Sequence, residues 1–329
     1  MSAPLAVIRY GIIGYGYFAE KAIAPAIMKA ARSELVAVQK RSLSAAKEKA
    51  TELGIPLAFD SVKEMVAHPE IDAVFIASAN ATHCEDTILA ANAGKHVLVE
   101  KPMAMTVAEA ERMVASCKAN GVTFMVGHMV RLSPLVTRIR QLLDEGNAGP
   151  VVRAHAEFYF DGNMSERRWL TDRPVAGGGP VFDVGVHCLD TLRYVLDDEV
   201  VAVNSAVAPP LTETRTESIA QLALTFSRGT VGSVFCSFVA PTRRSYIEIL
   251  CERGMFAAED FTYSNKMTTL SVSLFGENRV QKRTEDILVP DLYVKEVEML
   301  TQCILMDLSP GLSGENGLRN QRIIEDALR

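Results

Sequence analysis

Hydrophobic and polar positions alternate in blocks over the first third of the chain. Short apolar runs rich in Val and Ile recur at AVIRYGIIG, ELVAVQ, DAVFIAS, HVLVEK and VTFMVG. Between them lie Ala-, Glu- and Lys-rich stretches such as SLSAAKEKATELG, THCEDTILAANAG and TVAEAERMVASCKANG. Continuous apolar strands alternating with helices predict a parallel sheet covered on both faces, wound in the doubly wound manner. Gly54, Gly94 and Gly121 stand where those helices should stop.

After a helix near LSPLVTRIRQLLDEG the texture changes. VVRAHAEFYF, VVAVNSAVA, SIAQLALTF, GTVGSVFCSFV, SYIEILC, GMFAAED and MTTLSVSLF read as strands, with turn signals such as SRGT and ERGM between pairs. These predict a large, mostly antiparallel sheet with one or two helices on one face. Several strands read as apolar throughout, so a second copy is expected to cover the other face, giving a homodimer or homotetramer. The segment from EVEMLTQCILMD onward reads as helical. The domains expected are 1–128 and 129–329.

The length of 329 residues agrees with two domains, since one typically takes about 100–200. A net charge of −6 without a basic block argues against nucleic acid or an anionic membrane as partner. No run approaches the about 18 apolar residues of a membrane span. The six cysteines are scattered without a CxxC, and the N-terminal apolar stretch leads into a glycine motif rather than a cleavage site. Reduced thiols and a cytoplasmic location are the expectation.

That glycine motif is Gly14-Tyr15-Gly16-Tyr17-Phe18-Ala19, between an apolar strand and a plausible helix. Glycines also mark simple tight turns, but in a strand–loop–helix the backbone N–H groups can meet a pyrophosphate. The following strand bears on which dinucleotide. An acidic residue about 20 positions on would hold the ribose hydroxyl of NAD. Here the strand ends in Gln39-Lys40-Arg41-Ser42. Two cations and a hydroxyl suit a 2′-phosphate, so NADP is expected over NAD. A solvated basic strand end is the plainer alternative.

Three further stretches could carry chemistry. In ASANATH, at a strand end, Ser78 and Asn80 could contact cofactor hydroxyls, while Thr82 could be only a helix cap. In VLVEKPMAMT, Glu100 and Lys101 end another strand of the same sheet; the following Pro102 holds Lys101 in extended backbone, fixing an ammonium that could polarise a carbonyl or alkoxide oxygen. In GGGPVFDVGVHCLD, Asp183 and His187 are four apart and would share a helix face, with Asp190 three further on. A carboxylate beside an imidazole orients it and raises its basicity. A helix-surface ion pair is the alternative. Trp169 could stack on nicotinamide or sugar, or anchor its loop; His128 and Arg131 lie at the expected domain junction. No spacing of His or Cys suggests a metal.

The ordered set of these motifs resembles the glucose–fructose oxidoreductase / inositol dehydrogenase / rhizopine-catabolism (GFO/IDH/MocA) family over nearly the whole length. It rests on the GxGxxA loop, Asn80-x-x-His83, AGKHVLVEKP, RLSP, GGGPVFDVGVHCLD and SGENGLRNQRIIEDA. The resemblance implies an α/β chain: an N-terminal Rossmann doubly wound parallel sheet, then an α+β domain with a large, mostly antiparallel open sheet. It implies hydride transfer between a nicotinamide and a sugar or cyclitol alcohol or ketone. Lys101, Asp183 and His187 match the catalytic residues, with His187 as acid/base, Asp183 orienting it and Lys101 on the reacting oxygen. Cofactor contacts would come from Gly14, Tyr15, Gly16, Tyr17, Phe18, Lys40, Arg41, Ser42, Ser78, Asn80, His83, Glu100, Lys101 and Trp169. Substrate contacts would come from Lys101, Arg131, Asp183 and His187. Members often carry Thr-Pro before the Asn and Trp-Arg before the glycines; this chain has Ser78-Ala79 and Trp169-Leu170, with Arg167 and Arg168 adjacent. Two other readings are a dinucleotide-sensing regulator of the same fold and a dihydrodiol or other carbonyl oxidoreductase.

Overall fold

The computed structural model describes residues 6–276 and 279–329. The chain divides into two compact units. The first runs to Gly127 and takes up Tyr293–Gln321; the second is His128–Leu292 with Arg322–Arg329. The expected second domain is therefore not continuous. Helix Leu292–Met306 starts where the chain re-enters the first unit. There Thr301 shares a 2.7 Å hydrogen bond with the hydroxyl of the fully buried Tyr10. A phenol in the interior needs such a partner, and a residue on the returning helix supplies it.

The first unit is built on strands β1 (Ile8–Ile13), β2 (Ser33–Gln39), β3 (Leu57–Phe59), β4 (Ala73–Ile76), β5 (His96–Val99) and β6 (Phe124–Val126). They pair in the order β3-β2-β1-β4-β5-β6, and every pair is parallel. β4 is buried along its whole length, as a strand covered on both faces must be. The helix-stop glycines Gly54, Gly94 and Gly121 all have positive φ. β3 has only three residues, LAF, too few for a periodic signal to declare it.

The second unit contains strands β7 (Val151–Asp161), β8 (Val200–Ala208), β9 (Ile219–Phe226), β10 (Val231–Ser237), β11 (Val239–Cys251), β12 (Gly254–Glu259), β13 (Lys266–Phe275) and β14 (Val280–Val289). Among the described residues they form one sheet in the order β14-β13-β12-β11-β7-β10-β9-β8. Only β10 and β7 run parallel. β14 is the unexpected strand. It is an edge strand, VQKRTEDILV, whose mostly exposed positions, four of them charged, carry little core signal.

The open face differs from its expected character. Along β9 the buried set is Ala220, Leu222, Leu224 and Phe226, and Gln221, Ala223 and Thr225 are exposed. Arg153 pairs with Glu248, and Arg244 pairs with both Glu157 and Glu259. His155 Nδ1 lies 2.8 Å from the Ser233 hydroxyl. β9, which reads as apolar throughout, alternates, and the charges on the central strands of this face are paired. Among the described residues no helix is long and apolar enough to cross a membrane, and no group of three His, Cys, Asp or Glu could hold a metal.

Candidate active site

In the first unit the C-terminal ends of four neighbouring strands are tied together, where ligands bind in open α/β sheets. The loop after β1 begins with Gly14, whose φ is +77°. A Cβ there would lie 2.5 Å from the Ser78 Cα, so only glycine allows β1 to approach the residue after β4 this closely. The Gly14 N–H donates to Gln39 Oε1 (3.0 Å), and the Tyr15 N–H donates to the Gln39 carbonyl (2.9 Å). Gln39 Nε2 donates to the Asp60 carbonyl at 3.1 Å. The last residue of β2 thus fixes the loop through side chain and main chain together. At Gly16 a Cβ would meet nothing closer than the Gly14 carbonyl at 3.9 Å, which leaves room for a phosphate against the backbone. A π-helical turn, Ala19–Ile23, leads on to helix Ala24–Lys29.

The basic strand end is organised toward this loop. The Lys40 ammonium donates to the Tyr15 carbonyl (3.0 Å) and stands 5.5 Å from the Tyr15 ring centroid. Tyr15 is buried, and burial raises its pKa. Arg41 is exposed. Ser42 is the N-cap of helix Leu43–Leu53, accepting from the Ala45 N–H (3.5 Å). Tyr17 is exposed, and Phe18 packs edge-on against Tyr293 at 5.5 Å.

At the end of β4 the Ser78 hydroxyl donates to Asp86 (2.8 Å), and Thr82 turns back onto Ser78 Oγ and the Ala79 carbonyl instead of capping a helix. Asn80 is buried in the short 3-10 turn Asn80–Thr82. His83, expected to touch cofactor, is an internal brace. It is buried, with Nδ1 2.9 Å from the Pro102 carbonyl and Nε2 3.1 Å from the Ser78 carbonyl. Desolvation pushes its pKa down to about 4, so the ring is neutral and donates to one carbonyl at a time. His83 therefore joins the chain after β4 to the chain after β5. Glu100 and Lys101 follow β5. Glu100 is buried, accepts from the Lys101 N–H (3.2 Å), and has the fully buried Glu296 as an electrostatic neighbour. Lys101 is half-buried.

In the second unit the GGGPVFDVGVHCLD stretch is not a plain α-helix from its start. Val181–Gly185 is a π-helical turn, and Val186–Leu196 is α-helical. Asp183 therefore sits in the wider π turn and His187 at the start of the α-helix. They are not a surface pair, since both are buried. Asp183 accepts two hydrogen bonds from Arg167, Nη1 at 2.7 Å and Nη2 at 2.8 Å. The sequence places Arg167 nearby but gives no sign of this clamp. The His187 ring centroid lies 6.3 Å from that of Phe158 on β7.

Asp190 is also buried, and Arg131 Nε donates to its Oδ2 at 2.7 Å. The buried Arg193 stands 3.9 Å away and pairs with Glu199. Burial opposes ionisation of Asp190, but His128, Arg131 and Arg193 outweigh it and hold the carboxyl well below the usual range. Arg131, expected to contact substrate, thus spends its guanidinium on Asp190 and on the Tyr194 ring, 5.3 Å away. Trp169 is half-buried; the buried anchor of its loop is its neighbour Leu170.

A glycine loop braced at the strand ends of a parallel sheet is the organisation of a dinucleotide-dependent oxidoreductase. Residues 8–128 match the family described as "Oxidoreductase family, NAD-binding Rossmann fold", and residues 136–257 match the "GFO/IDH/MocA C-terminal domain". The chain is 38% identical over 202 residues to 1,5-anhydro-D-fructose reductase of Ensifer adhaerens, a match spanning 60% of each chain. It is 28% identical over 330 residues to D-xylose 1-dehydrogenase [NADP(+)] of Haloarcula marismortui, covering 94% of this chain and 87% of the relative. It is 32% identical to trans-1,2-dihydrobenzene-1,2-diol dehydrogenase of Mus musculus, covering 70% and 68%. The crystal structure of aldose-aldose oxidoreductase from Caulobacter crescentus complexed with glycerol matches at TM-score 0.86 and 28% identity, covering 97% of this chain and 96% of that one. The chain belongs to the GFO/IDH/MocA oxidoreductase family. It is an enzyme of the dehydrogenase and reductase class.

Proposed function

We propose that this protein is a cytoplasmic NADP-dependent oxidoreductase acting on a secondary alcohol or ketone of a sugar, sugar derivative or cyclitol. The observation that carries the cofactor reading is the end of β2. Gln39-Lys40-Arg41-Ser42 holds no carboxylate for a ribose hydroxyl, and the Lys40 ammonium already sits on the glycine-loop carbonyl of Tyr15. Gly14, Tyr15, Gly16, Tyr17, Phe18, Ser78 and Asn80 would hold the rest of the dinucleotide, with Glu100 and Trp169 toward the nicotinamide end. Fluorescence titration with NADPH and NADH tests this. NADPH should bind about tenfold tighter or better, and Lys40→Asp should reverse the order. Equal affinities in the native protein would contradict the reading.

Bound nicotinamide supplies the hydride acceptor or donor. The chain's own residues manage the oxygen and its proton. Lys101 stabilises the negative charge that develops on the reacting oxygen. His187 takes the hydroxyl proton in oxidation and returns it in reduction. Asp183, gripped by the Arg167 clamp, orients the imidazole and accepts from a second substrate hydroxyl. The names of the relatives favour a sugar, with an aromatic trans-dihydrodiol as second reading. A panel of polyols, keto sugars and dihydrodiols with NADP(H) separates them.

Assembly into a homodimer or homotetramer through the eight-stranded sheet belongs to the same proposal. The paired charges on the open face suit a wet interface better than an apolar one. A monomer in light scattering would contradict it.

A further inference from the structure

We propose that Glu217, with its neighbour Thr216, is the positioning element for the Asp183–His187 helix and for the Arg167 clamp upon it. This rests on the reading of Asp183 and His187 as the proton-transfer pair. Glu217 is fully buried immediately before β9. Its Oε2 accepts from the Gly179 N–H at 2.9 Å and its Oε1 accepts from the Val181 N–H at 3.1 Å. These donors stand at the start of the π turn, where a helix has N–H groups lacking intrahelical partners and where negative charge is stabilised. The Gly179 carbonyl in turn accepts from the Asp183 N–H at 3.0 Å and the Phe182 N–H at 3.1 Å. One residue, Gly179, therefore links Glu217 to the backbone of Asp183.

The approach is too close for any other residue at Gly179. A Cβ there would lie 2.0 Å from the Glu217 carbonyl oxygen. Gly179 thus serves contact with Glu217, beyond giving the loop freedom.

The same strand entry holds the other half of the clamp. Thr216 Oγ1 donates to the Leu170 carbonyl (3.2 Å), and the Thr216 N–H donates to the Thr171 carbonyl (3.4 Å). The Arg173 N–H donates to the Thr214 carbonyl (3.1 Å). The loop carrying Arg167 and the turn carrying Asp183 are therefore both fastened to residues 214–217. Those residues lead directly into β9, which is paired on both sides by β8 and β10. Glu217 reaches no reacting atom in this scheme; it sets where Asp183, Arg167 and His187 stand. Arg173 and Cys236 are its charged or titratable neighbours.

Glu217→Gln tests the idea, because it keeps the shape but presents an amide NH2 to one of two N–H donors. The full-length variant should keep the native circular dichroism spectrum and bind NADPH within about twofold of the native protein. Its kcat should fall about 10- to 100-fold, with KM for the alcohol changed less than about threefold. The pH profile of kcat should shift. Hydrogen exchange of the peptide covering 179–190 should quicken about tenfold or more while the first unit is unchanged. Glu217→Asp, which keeps the charge but is one methylene shorter, should fall between the two and serves if the Gln variant does not fold. Unchanged exchange over 179–190 together with a kcat within about twofold of native would overturn the proposal, as would lowered melting temperature with native kcat and pH profile. If the native protein turns over none of the panel, the reading of its function fails, and the exchange measurement still decides whether Glu217 anchors the helix.

Discussion

The two units build their functional residues from different materials. In the first, the site is largely main chain: a glycine loop, strand ends and carbonyls, with Gln39 and His83 bracing the backbone. In the second, it is side-chain charge taken out of water: Asp183 with Arg167, Asp190 with Arg131 and Arg193, and Glu217 on two N–H groups. The difference suits the two tasks proposed for them. Dinucleotides share one phosphate backbone, which peptide N–H groups recognise without side-chain chemistry. Proton transfer needs particular side chains in particular charge states, and those must be held by other charges.

If that contrast is right, removing a charge should damage the second unit most. Asp190→Asn leaves Arg131 and Arg193 without their shared carboxylate in a buried position. It should cost about 3–5 kcal/mol in chemical denaturation. A loss below about 1 kcal/mol would show that the network is well solvated after all.

Acid should find the first unit through His83. The unfolded imidazole takes a proton near its ordinary pKa of 6.5, whereas the folded one takes it only at about 4. Between those values the unfolded state binds more protons, so stability is fully present above about pH 6.5 and declines as pH falls toward 4. The full decline is about 3 kcal/mol. Denaturation followed across this range should show the decline in the native protein and a flatter dependence in His83→Gln.

A smaller effect separates orientation from mere charge. Arg167→Lys keeps a cation but loses the two parallel bonds to Asp183. It should lower kcat about tenfold while leaving NADPH affinity as it was. A variant with native kcat would mean that Asp183 needs only a nearby positive charge.

The same contrast explains what the sequence made legible. Gly14, the apolar strands and Gly54, Gly94 and Gly121 announce themselves because backbone geometry restricts which residue can stand there. The partners of Asp183, Asp190 and Gly179 lie 16, 59 and 38 positions away along the chain. No local period links Arg167, Arg131 or Glu217 to them, because the fold brings them together. His83 shows the opposite case. Its place in a recognisable motif suggested ligand contact, while burial gives it an internal role. The open sheet misled in another way: alternation within β9 is hidden because Ala and Thr occupy outward positions that read as apolar or neutral.

In the function proposed, Lys101 and His187 carry the chemistry for a nicotinamide cofactor held by the glycine loop. Steady-state turnover of the best substrate, followed by nicotinamide absorbance, should be compared among native protein, Lys101→Ala and His187→Ala, with NADPH affinity measured in parallel. Each variant should lose about 10²- to 10⁴-fold in kcat and bind NADPH as the native protein does. Native turnover in both variants would contradict it.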